Sequence, residues 1–369
     1  MPDLARYTTL RLGGPARDFA EARTEADLVA AVRAADRAGE PVLVLGGGSN
    51  LVIADDGFDG SVIRVATRGV DIERADTASD RAPADGNSDA AVALRVQAGE
   101  DWAALVARCA AEGMAGLECM AGIPGLVGAT PIQNVGAYGQ EAAETITHVR
   151  ALDRPVGRVV TIPGESCGFG YRTSMFKRNP GRYVVLEVGF RLDAQRLSRP
   201  LAYPELAAAL GARPGDRAPL DEVTGAVLSL RRRKGMVLDP ADPDTRSAGS
   251  FFTNPVLSPS QVAALEKEVH ARLGPDARFP SFPAPDGGVK VPAAWLIEQA
   301  GFGKGYGHDG DGSGEGGARI STKHTLALVN PGAATTAGLV ALAREIRDGV
   351  RAAFGVELVN EPVLVGVGL

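Results

Sequence analysis

An α+β protein is predicted, on three observations. Helix-period and strand-period stretches follow one another in short pieces, and apolar runs lead straight into glycine-rich loops. The 369 residues favour two or three domains at roughly 150 residues each. Hydrophobic residues at 45%, charged residues at 23% and 47 glycines fit a globular chain with many turns. A net charge of -6 and a pI near 5.4 argue against nucleic acid or an anionic membrane as the main partner and leave a small molecule. Met1 to Gly14 has no apolar core of signal-peptide length, and no apolar run reaches the ~18 residues of a membrane span, so a cytoplasmic protein is expected. Cys109, Cys119 and Cys167 are odd in number and form no Cys-x-x-Cys pair, which predicts reduced core thiols. His148, His270, His308 and His324 are scattered, and no metal site is expected.

Thr24 opens a Ser/Thr-x-x-Asp capping pattern with Asp27, and Leu28, Ala31, Val32 and Ala35 recur at helical spacing until Gly39. Val42 to Leu45 then reads as a buried strand, followed by a glycine loop and a strand at Ser61 to Val65. The run 77–89 is small and polar, as a surface loop is. Leu94 to Val96 is a strand, and Asp101 caps a helix to about Ala111. Strands are predicted at Val159 to Ile162 and Val184 to Leu192, and a helix from Asp221 to Lys234. Further helices fall at Ser258 to Leu273, with Pro259 at the first helical position, and at Pro292 to Ala300. A strand at Thr325 to Asn330, a long amphipathic helix at Thr335 to Phe354 and a strand-like tail at Val356 to Val367 complete the chain.

The candidate chemistry lies between these elements. The stretch Ala121 to Gly139 holds Gly122, Gly125, Gly128, Gly136 and Gly139 with Pro124 and Pro131, so it is neither helix nor central strand. Its backbone amides suit an anion, and its apolar residues pin it to a core. Gly46-Gly47-Gly48-Ser49-Asn50-Leu51 follows a strand, but Leu51 stands where a dinucleotide fingerprint needs its third glycine, and no P-loop lysine is present. Two such loops could converge on one extended ligand, such as a dinucleotide. Arg172, flanked by glycine and tyrosine, is either a solvated charge or a fixed, carboxylate-facing guanidinium. Arg231-Arg232-Arg233-Lys234 either complements a helix dipole or grips a diphosphate. Ser250 lacks a Gly-x-Ser-x-Gly elbow. Asp309 to Glu315 imitates a calcium loop, with Ile320 where the twelfth-position glutamate belongs, and reads better as a glycine-rich insertion. Glu361 before Pro362 is either a solvated edge charge or a buried acid.

Taken together, Gly46-Gly-Gly-Ser-Asn50, Ile123-Pro-Gly-Leu-Val-Gly128, Pro131-Ile-Gln-Asn-Val-Gly-Ala-Tyr-Gly139, Gly170-Tyr-Arg-Thr-Ser174, Ala248-Gly-Ser-Phe-Phe252 and Glu361-Pro362 resemble the UDP-N-acetylenolpyruvoylglucosamine reductases. These are flavoenzymes of bacterial peptidoglycan synthesis, and the match runs nearly end to end in the family's order. Pro200-Leu-Ala-Tyr-Pro-Glu-Leu206 resembles the branch with an extra tyrosine-bearing substrate loop. The resemblance implies an FAD-binding fold of the vanillyl-alcohol oxidase type in two α+β subdomains, 1–66 with 356–369 returning and 67–234. A C-terminal α+β substrate-binding domain would span 235–355.

By the same resemblance NADPH reduces non-covalent FAD, leaves, and is replaced in the same pocket by the enolpyruvyl sugar nucleotide, whose methylene carbon takes the hydride. The resemblance assigns Arg172 as the fixed cation, Ser250 as proton donor and Glu361 as the partner stabilising the enolate. Cofactor contacts would come from Gly46, Gly47, Gly48, Ser49 and Asn50, and from Pro124, Gly125, Gly128, Thr130, Asn134, Gly136 and Ala137. Tyr203, Lys234 and Asn254 would meet the diphosphate and uridine of the substrate. A monomer with no nucleic-acid or membrane partner is expected. An FAD oxidase of a sugar or alcohol on the same fold would need neither Arg172 nor Ser250, and a non-catalytic flavin or sugar-nucleotide sensor is the third possibility.

Overall fold

The computed structural model describes residues 1–74, 91–284, 287–307 and 317–369. The polar run 77–89 and the calcium-like stretch Asp309 to Glu315 lie outside the described residues. The chain forms two compact units, one of Met1, Ala16–Gly47 and Asp59–Val237, the other of Pro2–Pro15, Gly48–Phe58 and Leu238–Leu369. Of the region expected at 1–66 with 356–369, the first unit holds Met1, Ala16–Gly47 and 59–66, and the second unit holds the rest.

In the first unit the helix Glu25–Ala38 begins where Thr24 accepts from Asp27 N and stops at Gly39, which adopts a left-handed φ of 65°. Only glycine takes that conformation without cost, so the helix ends there. Its apolar stripe, Leu28, Val29, Val32 and Ala35, is buried. Strands Val42–Leu45 and Phe58–Val65 run parallel, with Ala16–Ala22 on the far side of the latter.

The larger sheet is antiparallel and six-stranded. Its order is Arg158–Pro163, Ile146–Asp153, Tyr183–Ala194, Ala91–Gln97 and Val70–Arg74, and Met114–Ala115 pairs with the end of the long Tyr183–Ala194 strand. The helix Trp102–Ala111, capped by Asp101 through Ala104 N, lies over this core. Trp102 meets Phe190 at 6.0 Å between ring centroids. Arg150 on the sheet pairs with both carboxylate oxygens of Glu25 at 2.9 Å, which ties the first helix to the sheet. The helix Leu220–Arg233 buries Leu220, Val223, Val227 and Leu230.

In the second unit the helices Pro259–Leu273, Ala293–Gln299 and Thr336–Phe354 surround a core that includes Phe251, Phe252, Leu265, Leu296, Ile346 and Phe354. Ser258 and Gln261 form a reciprocal capping box at the first of these. Leu51–Ile53 pairs in parallel with Val363–Val365, so a segment near the start of the chain and one near its end build one small sheet.

The strands with no counterpart in the sequence pattern include three of the longer ones, Ala16–Ala22, Val70–Arg74 and Ile146–Asp153. In the last, half-buried His148 and Arg150 alternate with buried Val149 and Ala151, and both face the buried Glu187 of the neighbouring strand. Two expected strands shrink. Thr325 to Asn330 keeps only Leu328–Val329, and Val356 to Val367 only Val363–Val365. The aromatic segment after Ser250 forms a single bridge, between Phe252 and Asn360. Its backbone partners are Leu326 on one segment and Val359 and Glu361 on another, so no continuous ladder forms.

All three cysteines are free and buried. Burial pushes the Cys109 thiol up to about 12 and the Cys167 thiol up to about 11, and thiolate rather than thiol is the nucleophile. The native protein should therefore leave a colorimetric thiol reagent unreacted at mildly alkaline pH, and release the full colour only on unfolding in guanidinium. Rapid reaction in the native state would show that a cysteine is accessible.

Candidate active site

Within the first unit the 121–139 loop is stapled to the turn between the strand Ala91–Gln97 and the helix Trp102–Ala111. Gly128 N donates to Ala98 O at 2.9 Å, Val127 N to Glu100 O at 2.9 Å, and Trp102 N to Gly125 O at 3.1 Å. Side chains are excluded at the contacts. A Cβ at Gly128 would lie 2.6 Å from Ala98 Cβ, and one at Gly47 would lie 2.8 Å from Gly125 Cα. The two glycine-bearing segments thus meet backbone to backbone, far closer than any pair with side chains could. Thr130 Oγ1 closes a turn on Val127 O at 2.8 Å.

Asn134 is buried with a φ of 48°. Its amide donates to Glu141 at 2.6 Å and to Gly170 O at 3.1 Å, and its carbonyl accepts from Ala143 N at 3.0 Å. Arg172 is also left-handed, with φ 52°, a conformation that costs a non-glycine residue roughly 1 kcal/mol or more and marks functional sites. Its guanidinium donates to Gly136 O at 2.7 Å and to Asn134 O at 3.3 Å, while Lys177 holds its own carbonyl at 3.2 Å. Arg172 is thus fixed by the glycine loop itself.

Beside it lies a cluster of aromatic and cationic groups. Tyr138, with φ 49°, meets Tyr203 edge-on at 5.5 Å, and the Lys234 ammonium lies 5.9 Å from the Tyr138 ring centroid. Burial pushes the Tyr138 hydroxyl up to about 12, against the pull of the Arg231 charge. Lys234 caps the C-terminus of its helix and pairs with Glu205 at 2.9 Å.

Arg231 shows that the Arg231–Lys234 run is more than a solvated helix end. Arg232 and Arg233 are exposed, but Arg231 has its Nε sealed from solvent with no hydrogen-bond partner among the described residues. Its Nη2 donates to Met236 O at 2.8 Å. Burial lowers its pKa to about 10, with the Arg172 charge acting in the same direction, so it remains a cation at neutral pH. A cation so placed calls for an anion or a carbonyl-rich group. The sequence pattern placed Arg231 only within the cationic run and Tyr138 only within a glycine-rich motif; it did not single out either residue.

The second unit holds the other candidates. Gly48 has φ 61°, and a Cβ there would fall 1.8 Å from Tyr7 O. Asn50 donates to Glu361 O at 3.3 Å and receives Val363 N at 2.9 Å. The Ser250 turn is set by Ser247 Oγ, which accepts from Gly249 N at 3.2 Å, and by Phe251 N, which donates to Leu326 O at 2.7 Å. Glu361 N donates to Phe251 O at 2.8 Å, so Ser250 and Glu361 lie on adjoining backbone. Asn254 has a structural task, since its side-chain oxygen accepts from Ala293 N at 2.9 Å at the start of a helix.

Asp244, which sequence reading passed over, anchors the approach to Ser250. It accepts from Arg319 at 3.1 Å, Ser321 Oγ at 3.2 Å, Thr322 N at 2.9 Å and Thr322 Oγ1. Burial pushes its carboxyl up, and the hydrogen bonds from Thr322, Arg319 and Ser321 outweigh that, leaving it below the usual range.

The close glycine contact, the bare loop backbone and the unpartnered Arg231 Nε fit a flavin dinucleotide, whose phosphates and ring carbonyls are acceptors. Residues 16–163 match an FAD binding domain, and residues 240–365 match the C-terminal domain of UDP-N-acetylenolpyruvoylglucosamine reductase. The chain is 54% identical over 366 residues to a UDP-N-acetylenolpyruvoylglucosamine reductase of Thermobifida fusca, covering 99% of this chain and 97% of that one. It is 55% identical over 367 residues to the enzyme of that name from Streptomyces avermitilis, covering 99% and 94%. The crystal structure of the reductase from Thermus caldophilus superposes with a TM-score of 0.61 at 25% identity over 98% of this chain and 97% of that one. Fold and site define an FAD-dependent oxidoreductase. The chain belongs to the UDP-N-acetylenolpyruvoylglucosamine reductase family, and the oxidase and sensor alternatives fall away.

Gly47→Ala tests the loop contact. The added methyl would press on Gly125 Cα at 2.8 Å, and overpacking of this kind costs about 1–3 kcal/mol. The variant should lose flavin on dilution that the parent retains, read as the ratio of flavin to protein absorbance after gel filtration; an unchanged ratio would show that the loops part freely.

Proposed function

We propose that Arg172, Ser250 and Glu361 carry the chemistry of the reaction that family membership gives this chain. That reaction is the NADPH-dependent reduction of UDP-N-acetylenolpyruvoylglucosamine to UDP-N-acetylmuramate, a step of peptidoglycan synthesis on which cell shape and division depend. The supporting observation is the Arg172 guanidinium, fixed on the Asn134 and Gly136 carbonyls from a left-handed backbone. Bound FAD supplies the hydride, drawn from NADPH.

Addition to the methylene carbon places negative charge on the neighbouring carbon and its carboxylate. Arg172, already ordered, meets that charge without reorganisation, which is how preorganised cations lower a barrier. The Ser250 hydroxyl donates its proton to the carbon bearing the carboxylate, and Glu361 holds the enolate's acid form by hydrogen bonding. A serine hydroxyl is a poor acid, so its transfer needs a basic enolate and a cation near the departing alkoxide.

The loops Gly46 to Asn50 and Pro124 to Ala137 hold the cofactor, and Tyr203, Lys234 and Asn254 hold the diphosphate and uridine of the substrate. Residues 1–66 with 356–369, and 67–234, serve flavin binding, and 235–355 serves the sugar nucleotide. The enzyme works as a cytoplasmic monomer without nucleic acid or membrane. Its acidity supports the absence of nucleic acid and of an anionic membrane as partners, and no described helix is long and apolar enough to cross a membrane. The decisive experiment follows NADPH absorbance with the purified yellow protein. Oxidation should depend on the enolpyruvyl substrate, and turnover without it would defeat the proposal.

Ser250→Ala should bleach with NADPH at nearly the parental rate in stopped flow and then reoxidise with substrate more slowly by about 10²- to 10⁴-fold, roughly 3 to 5 kcal/mol of barrier. Cysteine at this position should recover part of the loss. Reoxidation of the alanine variant at the parental rate would make Ser250 a turn residue only.

Lys234→Ala should raise the KM for the sugar nucleotide more than it lowers kcat, because a diphosphate contact is made equally in ground and transition states. A kcat loss at constant KM would assign Lys234 to the chemical step instead.

A further inference from the structure

We infer that Glu205 is a built-in competitor for the anionic part of the substrate: its carboxylate holds the Lys234 ammonium in the free enzyme and has to yield when the sugar nucleotide binds. The inference rests on Lys234 as a diphosphate contact and adds the group that tunes that contact.

The ion pair is close and open to water. Lys234 Nζ lies 2.9 Å from Glu205 Oε2, and the two side chains are 36% and 42% exposed. Such a pair is weak and separates readily, because water and salt screen it. Glu205 stands in the first turn of the short helix Pro204–Ala209, directly after Tyr203, which is 44% exposed. Tyr203 and Lys234 both approach the ring of Tyr138, at 5.5 Å and 5.9 Å. The carboxylate therefore belongs to the same cluster as the groups suited to a sugar nucleotide.

A carboxylate in that position acts twice. It neutralises the ammonium that would attract a diphosphate, and it repels the phosphates once they arrive. Substrate and product carry the same diphosphate, so both effects weaken the hold on product as much as on substrate. Binding energy that both states share lowers KM without speeding the reaction. A residue that trims it makes release easier and leaves the chemical step alone. Glu205 is thus an affinity-setting residue, acting on the substrate through Lys234.

The test is steady-state kinetics on flavin-loaded enzyme with the enolpyruvyl sugar nucleotide varied, for the parent, Glu205→Gln, Glu205→Asp, Lys234→Ala and the Lys234→Ala, Glu205→Gln pair. Glu205→Gln should lower KM about two- to fivefold, the range an exposed ion pair spans, with kcat within about twofold of the parent's. Glu205→Asp keeps the charge and should stay near the parental KM, which a loss of packing or of helix structure would not predict. In the Lys234→Ala background the glutamine should lose most of its effect. An unchanged or raised KM for Glu205→Gln overturns the inference while Lys234→Ala still raises KM, and so does a full effect that persists without the lysine. If Lys234→Ala itself leaves KM unchanged, the lysine is no diphosphate contact and both readings fail together.

Discussion

The contact between Gly47 and Gly125 is the constraint on which the first unit's chemistry depends. A methyl group at Gly47 would come within 2.8 Å of Gly125 Cα, so two loops far apart in sequence touch through bare backbone. On one side of that contact the loop is fastened by hydrogen bonds to Ala98, Glu100 and Trp102. On the other it runs to Asn134 and Gly136, whose carbonyls receive Arg172. The position of the Arg172 guanidinium is therefore set by the same loop that meets Gly47 backbone to backbone.

Charge in this unit is arranged by depth. Glu205 and Lys234 neutralise each other near solvent, where attraction is worth little. Deeper, burial lowers the Arg231 pKa to about 10, and the Arg172 charge acts on it in the same direction. Such an arrangement costs stability in the ligand-free protein and is offset when electron-rich groups of cofactor or substrate arrive. Left-handed backbone at Asn134, Tyr138 and Arg172 adds strain in the same neighbourhood.

The second unit places Ser250 and Glu361 by other means. Ser250 stands on a turn between two fixed points, the Ser247–Gly249 hydrogen bond and the Phe251–Leu326 bond, with the buried Phe251 and Phe252 filling the core beneath. Asp244, accepting from an arginine, two hydroxyls and a backbone amide, ties the chain entering that turn to the segment 319–322. Glu361 is carried by the segment that leads into Val363–Val365, and Asn50 holds its carbonyl.

The sequence by itself determined the longer helices, because a cap such as Thr24, Ser258 or Thr335 and a left-handed glycine such as Gly39 or Gly355 act within a few residues; the short helices Met175–Arg178 and Pro204–Ala209 were not expected from it. It also determined the glycine loops and the residues of the reductase motifs, since proline fixes φ and glycine opens conformations closed to other residues wherever they stand. Tertiary structure decided what local pattern could not carry. Ile146–Asp153 became a central strand only because Tyr183–Ala194 and Arg158–Pro163 pair with it and Glu187 accommodates its polar side chains. The tail beyond Val356 lost most of its expected strand because only Leu51–Ile53 was there to receive it. The contrast between exposed Arg232 and sealed Arg231 arises where the helix end meets the Gly122 loop. A run of like residues in sequence takes unlike roles when packing turns one inward and leaves the next in water.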